Sequence, residues 1–228
     1  MKVLVIAAHP DDEVLGCGAT IAQHRHAGDQ VRVLILGEGA TSRYSRRGSS
    51  RGAAEVKTLR RQANESAKIL QINKLELVGL PDNRFDHVDL LDIVKPVEQT
   101  IKRYQPQVIY THFWDDLNID HRLTAQAVLT ATRPVGASSI QRIYSFEILS
   151  STEWTFSAGA AFVPNYYVPL GATDLEQKLS AMKCYSNELC EWPHPRSLEG
   201  IRTLARQRGS QIGKPLAEAF MLIREVKA

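Results

Sequence analysis

The chain has 228 residues, 43% of them hydrophobic, which is enough for a sizeable core and an ordinary length for one α/β domain; a single domain over 1–228 is expected. Its 28 basic and 25 acidic residues are mixed along the chain and leave a formal charge of +3, which argues against a dedicated nucleic-acid binder. The three cysteines, Cys17, Cys184 and Cys190, do not form a disulfide scaffold, no apolar stretch reaches the ~20 residues that span a bilayer, and the leading apolar run is too short for a secretory leader, so a soluble cytoplasmic protein is expected.

Val3 to Ala8 is almost wholly apolar, as a strand buried on both faces should be. It stops on His9-Pro10-Asp11-Asp12-Glu13. Adjacent carboxylates repel one another and are tolerable at a strand end only when solvated or when something positive sits among them. A His with an Asp suits a metal ion such as Zn²⁺. The small, apolar run Val14 to Ala22 predicts a helix closing near Gly28, and Val31 to Leu36 a second buried strand. Together they make a β-α-β unit, whose strands are parallel.

Gly37 to Gly52 is rich in Gly, Ser and Arg and reads as a loop. It is either a plain solvated segment or, through Arg43, Arg46, Arg47 and Arg51, an anion-binding lid. Val56, Leu59, Ala63, Ala67 and Leu70 fall at helical spacing. Leu75 to Val78 is a short strand, and Leu90, Val94, Val97 and Ile101 mark a helix in which Pro96 predicts a kink or a fresh start. Val108 to His112 is another buried strand, followed by an Ala-rich helix over Leu123 to Ala131. Strands are expected at Arg142 to Phe146, Tyr166 to Val168 and Phe220 to Val226. Thr173 to Glu176 reads as a capping box and Ser197 as the cap of a further helix. Alternating strands and helices predict an α/β fold, Rossmann-like, with a mostly parallel sheet and helices on both faces.

Ligands of open α/β sheets bind beyond the carboxyl ends of the strands. Two strand ends here are dense in polar groups: His9 to Glu13, and His112 to Arg122 after the Val108 strand. If those strands are parallel neighbours, the segments face each other across one crevice. One His and one carboxylate from the first and one His from the second would make a His₂-carboxylate set with an open position. Asp11 and Asp12 point different ways from a turn, so one could ligate while the other acts as general base. The reaction class that follows is metal-assisted hydrolysis of an acyl or amide bond. The sequence has no third glycine after Gly37-Glu38-Gly39 for a dinucleotide fingerprint, no phosphate-binding Gly-Lys-Ser/Thr loop and no Gly-x-Ser-x-Gly elbow.

Ala8-His9-Pro10-Asp11-Asp12-Glu13 with Gly16-Cys17-Gly18, and Asn118-Ile119-Asp120-His121-Arg122, resemble the LmbE-like/PIG-L-like N-deacetylases. The resemblance extends to Arg61, to Gly79-Leu80-Pro81-Asp82, and to His194-Pro195-Arg196-Ser197 and Ala217-Glu218-Ala219-Phe220. It implies that His9, Asp12 and His121 bind Zn²⁺, or another divalent transition metal, and that Asp11 is the general base. It also implies a Rossmann-like sheet, an N-acetylated sugar conjugate as substrate, loss of its acetyl group, and a homo-oligomer. One common form of the second motif has His where Asn118 stands and Pro where Ile119 stands. Asn118 cannot carry a positive charge but can donate an amide hydrogen bond to an oxyanion. The general acid is then either Asp11 itself or His194. Arg61 and Asp120 are expected on the substrate side, Asp120 also as support for a neighbouring imidazole. The competing readings are an amidase acting on a non-sugar substrate and a non-catalytic sugar- or nucleotide-binding module.

Overall fold

Alternate residues of the first strand, β1 (Lys2–Ala7), enter two different cores. Val3, Val5 and Ala7 join one apolar cluster, while Leu4 and Ile6, followed by Ala8, join the other. A strand apolar at every position is therefore the centre of a three-layer arrangement. The computed structural model describes residues 1–44, 48–136, 138–156 and 161–227.

The remaining elements in chain order are α1 (Asp12–His26), β2 (Gln30–Gly37), α2 (Ser50–Ile69), β3 (Lys74–Leu80), α3 (Leu90–Tyr104), β4 (Val108–His112), α4 (Ile119–Ala131), β5 (Arg142–Phe146), β6 (Tyr166–Pro169), α5 (Ala172–Cys184), α6 (Leu198–Ser210) and β7 (Ala217–Glu225). The strands form one seven-stranded sheet in the order β3-β2-β1-β4-β5-β7-β6. β1 to β5 pair in parallel, and β7 runs antiparallel to both β5 and β6. Residues of α1, α2, α5 and α6 pack in the first core and residues of α3 and α4 in the second, which is the expected fold class with helices on both faces.

Several boundaries differ from the sequence reading for local reasons. α2 begins at Ser50, before Gly52, because the Ser49 hydroxyl accepts the Gly52 N–H. α4 begins at Ile119, capped by Asn118, so Asp120 and His121 ride its first turn. α5 starts at Ala172, where the Asp174 carboxylate accepts the N–H of Gly171, and Thr173 is not its cap. α3 runs unbroken through Pro96: one ladder hydrogen bond is forfeited, and burial of Ile93, Val94 and Val97 offsets it. Ser197 caps α6 as expected, its hydroxyl accepting the Gly200 N–H at 2.9 Å. Among the described residues, no helix is long and apolar enough to cross a membrane.

Candidate active site

The strand order reverses between β1 and β4, whose parallel register pairs Val3 with Val108 and Val5 with Tyr110. That reversal is where α/β sheets open a crevice at their carboxyl ends. Segments 9–13 and 112–122 emerge there side by side. The end of β2 closes against them: the Gly37 N–H donates to the Ala8 carbonyl at 2.7 Å. A Cβ at position 37 would lie 2.8 Å from that same carbonyl oxygen and 3.1 Å from the His9 ring, so only glycine fits.

His9, Asp12 and His121, all buried, bring their donor atoms close enough to hold one metal ion. Asp12 Oδ2 lies 3.5 Å from His9 Nδ1 and 3.4 Å from His121 Nε2. In a tetrahedral site with bonds of about 2.0–2.1 Å, neighbouring donors sit roughly 3.3–3.4 Å apart, so the two spacings to Asp12 suit zinc. His9, Asp82 and Asp120 form a second cluster that shares His9. Its Asp120 is already saturated: Oδ1 accepts the Phe85 N–H, and Oδ2 accepts the Asn83 N–H and faces His9 Nε2 at 2.9 Å. Asp82 of that cluster is engaged too, its Oδ2 accepting the Ser42 N–H at 2.9 Å, whereas among the described residues the first set takes one backbone N–H, that of His9 on Asp12 Oδ2 at 2.8 Å, so the first is the candidate metal centre. His112 is not a ligand through Nε2, which accepts the Ala8 N–H at 2.8 Å; its ring stacks on His121.

Both imidazoles are held from behind by carboxylates. Asp120 faces Nε2 of His9, leaving Nδ1 for the centre, and Asp116 Oδ1 faces Nδ1 of His121, leaving Nε2. Asp116 also takes the hydroxyls of Ser151 and Thr152 and the N–H of Asn118. This carboxylate–histidine–metal pattern fixes ring orientation and tautomer. Burial works to raise the Asp116 carboxyl, but His121 and the two hydroxyls outweigh it and hold it at about 2. Burial works to lower His121, and Asp12 and Asp116 raise it instead to about 9. Burial likewise opposes ionised Asp12, yet His121, His112 and His9 keep it well below the usual carboxylate range.

Asp11 is not among the candidate donors. It lines a polar cleft of roughly 150 Å³ together with His9, Asp82, Asn83, Asn118, Arg43, Glu188 and Arg196. Its backbone sits at φ 112°, where side-chain-bearing residues are rarely found. Its carboxylate lies 3.3 Å from Arg196 Nη1. Burial pushes the carboxyl up, Arg196 pulls it partly back, and Asp12, Glu188 and Glu13 push it up again, so it rests well above the ordinary range. Glu13 supports it from below: its carboxylate accepts the Asp11 N–H at 3.1 Å and the Tyr185 hydroxyl at 2.6 Å. Glu13 thus serves the turn and not the cleft.

Asn118 lines the cleft and also caps α4, its Oδ1 accepting the Asp120 N–H while Nδ2 donates to Asn83 Oδ1. Asp120, expected on the substrate side, is fully buried against His9 Nε2 and is absent from the cleft lining. Arg61 is on the outer face of α2, largely exposed and paired with Glu65, and is absent from the cleft lining. His194 is absent from that lining too; its Nδ1 accepts the Arg196 N–H and its ring stands edge-on to Trp154. Arg43 is neutralised by Glu55 and Glu188, so it is not a free anion anchor. Arg46 and Arg47 lie outside the described residues. The sequence reading missed Asp116, Glu188 and Asn83, and assigned no part to Asp82 or Arg196, although both stood inside motifs it singled out.

The family model described as GlcNAc-PI de-N-acetylase (PIG-L) matches residues 4–132, more than half of the chain. A protein of Escherichia coli K12 named uncharacterized deacetylase YaiS is 26% identical over 186 residues, covering 79% of this chain and 88% of that protein. Among solved structures, the N,N'-diacetylchitobiose deacetylase of Pyrococcus horikoshii, complexed with its inhibitor, matches with a TM-score of 0.77 at 21% identity, covering 97% of this chain and 83% of that one. GalB, the 4-carboxy-2-hydroxymuconate hydratase of Pseudomonas putida KT2440, matches with a TM-score of 0.77 at 21% identity, covering 100% and 98%. These structures share the fold, and the site residues must carry any choice between their chemistries.

Proposed function

The chain belongs to the PIG-L family, and from that premise we propose that it is a zinc-dependent hydrolase removing the acetyl group from an N-acetylated amino sugar, of the N-acetylglucosamine type, within a larger conjugate. The observation that carries this reading is the His9–Asp12–His121 donor set, spaced for a tetrahedral ion, with a separate carboxylate, Asp11, facing the adjoining cleft. The family's description as a GlcNAc-PI de-N-acetylase and the match to a diacetylchitobiose deacetylase support the sugar amide as substrate. The cleft supports it as well: its lining is polar, and both described arginines in it are engaged by carboxylates, which suits hydroxyls better than a phosphate.

His9, Asp12 and His121 would hold the ion, which when bound supplies Lewis-acid stabilisation of developing negative charge and acidifies a neighbouring water. Asp11 takes the proton of the water that attacks the acetamide carbonyl carbon. Asn118 helps hold the resulting oxyanion: one of its N–H groups goes to Asn83 and the other is left to donate. Asp11, protonated in the first step, returns the proton to the nitrogen as the C–N bond breaks, releasing acetate and a free amine. Asp11 fills the acid role better than His194, which stands outside the cleft lining.

The test is acetate release by the zinc-loaded protein from a panel of N-acetyl sugars, nucleotide-linked and thiol-linked ones included, with acetylated amino acids as non-sugar amides. Activity on at least one sugar is expected, lost on chelation and in His9→Ala and Asp11→Asn. Release confined to non-sugar amides, or full activity in Asp11→Asn, would overturn the reading.

A further inference from the structure

We propose that Arg196 is the positioning residue of the candidate base, holding the Asp11 carboxylate toward the cleft, and that Glu188, gripped by Arg43, holds Arg196 in turn; the inference rests on the deacetylase reading above. Asp11 needs such a holder. Its main chain is pinned in an uncommon conformation, yet among the described residues its carboxylate makes a single hydrogen bond, to Arg196 Nη1 at 3.3 Å. A buried carboxylate with one partner owes its orientation to that partner. In a site that works by placing a base against a water, a misplacement of about 1 Å costs on the order of 10²-fold in rate.

Arg196 is itself fixed from several directions. Its Nε donates to Ser150 Oγ at 2.7 Å, and Nη1 lies 3.5 Å from Glu188 Oε2. A planar guanidinium held at both ends has its plane set, which the point charge of a lysine would not reproduce. Its backbone is anchored to the start of α6: Ser197 is the cap, and Gly200 sits so close that a Cβ there would lie 2.2 Å from the Pro195 carbonyl oxygen. Glu188, nearly buried, accepts from Arg43 Nη2 at 2.7 and 2.6 Å, and Arg43 Nη1 donates to Glu55 on α2 at 2.9 Å. Glu55, Arg43, Glu188, Arg196 and Asp11 therefore form a line of alternating charges from α2 across the cleft to the base. Each member is satisfied by its neighbours, so loosening one loosens the next.

The experiment compares Arg196→Met, Arg196→Lys and Glu188→Gln with wild type, each zinc-loaded and checked for metal content and circular dichroism. Expected are a fall of about 10²-fold in kcat for Arg196→Met with KM little changed, partial recovery in Arg196→Lys, and a smaller fall, about tenfold, for Glu188→Gln. Adding Glu188→Gln to Arg196→Met should cost almost nothing further, since both act on one chain of contacts. Crystal structures of wild type and Glu188→Gln give a reading independent of turnover: the Asp11 carboxylate should be singly placed in the first and rotated or split in the second. A rise in KM with kcat kept, or an unmoved Asp11 in Glu188→Gln, would overturn the proposal and leave the deacetylase reading standing. Absence of acetate release from wild type on every sugar would instead count against the deacetylase reading, and the Asp11 placement would still decide the positioning claim. Should Arg196→Met fail to fold, Glu188→Gln and Arg196→Lys carry the test.

Discussion

Nδ1 of His121 lies 3.0 Å from Asp116 Oδ1, and that contact decides which ring nitrogen looks toward Asp12. Asp116 is ionised at any ordinary pH and accepts a hydrogen bond from Nδ1–H, so Nε2 is the nitrogen left to bind a metal once its proton is lost. Asp116→Asn is expected to weaken zinc binding about 10–100-fold while the fold is kept. Competition with a chromophoric chelator measures it, and unchanged affinity would reduce Asp116 to a tie for the loop at Ser151 and Thr152.

Metal binding should release protons. Without an ion His121 stays protonated to about 9, and His9 also sits well above its ordinary value, because burial is outweighed by Asp12 and Asp120. A ligand must give up its proton to bind, so affinity should climb as pH rises toward about 9 and then level. Titration calorimetry at neutral pH in two buffers of different ionisation enthalpy should report at least about one proton released per zinc. Equal heats in both buffers would contradict this.

Glu13 should make the metal-free protein less stable at high pH. Burial raises its carboxyl from an ordinary 4.5 to about 7, the Tyr185 hydroxyl and the Asp11 N–H opposing only in part. A raised folded-state value means that the stabilising contribution is full below about 4.5 and is lost as pH climbs through about 7. Glu13→Gln removes the titration. Relative to wild type it should gain on the order of 3 kcal/mol between pH 4.5 and pH 8 in urea unfolding with chelator present. A stability difference that does not vary with pH would refute it.

Asn118 has two separable duties. Asn118→Ala loses the α4 cap and should cost about 1 kcal/mol of stability as well as activity. Asn118→Asp keeps a capping oxygen but has no N–H to offer. It should unfold near the wild-type midpoint while kcat falls about 10²-fold or more. Wild-type turnover in Asn118→Asp would remove Asn118 from the chemistry.

The candidate donor cluster was legible because its signal is local. An apolar strand ending on His9 and another ending on His112 announce themselves by pattern, and parallel pairing of β1 with β4 does the rest. Helical phase could also have placed Arg61: Leu59, Gln62, Ala63, Ser66 and Ala67 are the buried face of α2, and position 61 falls opposite. Arg196 and Glu188 were not legible in the same way. They sit in the aperiodic connection between α5 and α6, and only tertiary packing decides which wall of the cleft that connection reaches. Asp116 was hidden for another reason. Asp115, Asp116 and Asp120 are chemically alike in sequence, and burial of Asp116 against two hydroxyls is what singles it out.

The candidate donors His9, Asp12 and His121, the proposed base Asp11 and the Asn118 amide all lie within residues 4–132, whereas Glu188 and Arg196 reach in from beyond them. The proposed reactive kernel and the proposed grip on it thus lie in separate stretches of the chain. Variation in the later stretch can retune the base and reshape the mouth without touching a single metal donor. Grafting the α5–α6 connection of a relative onto this chain should therefore exchange preference among substrates while leaving metal affinity where it was.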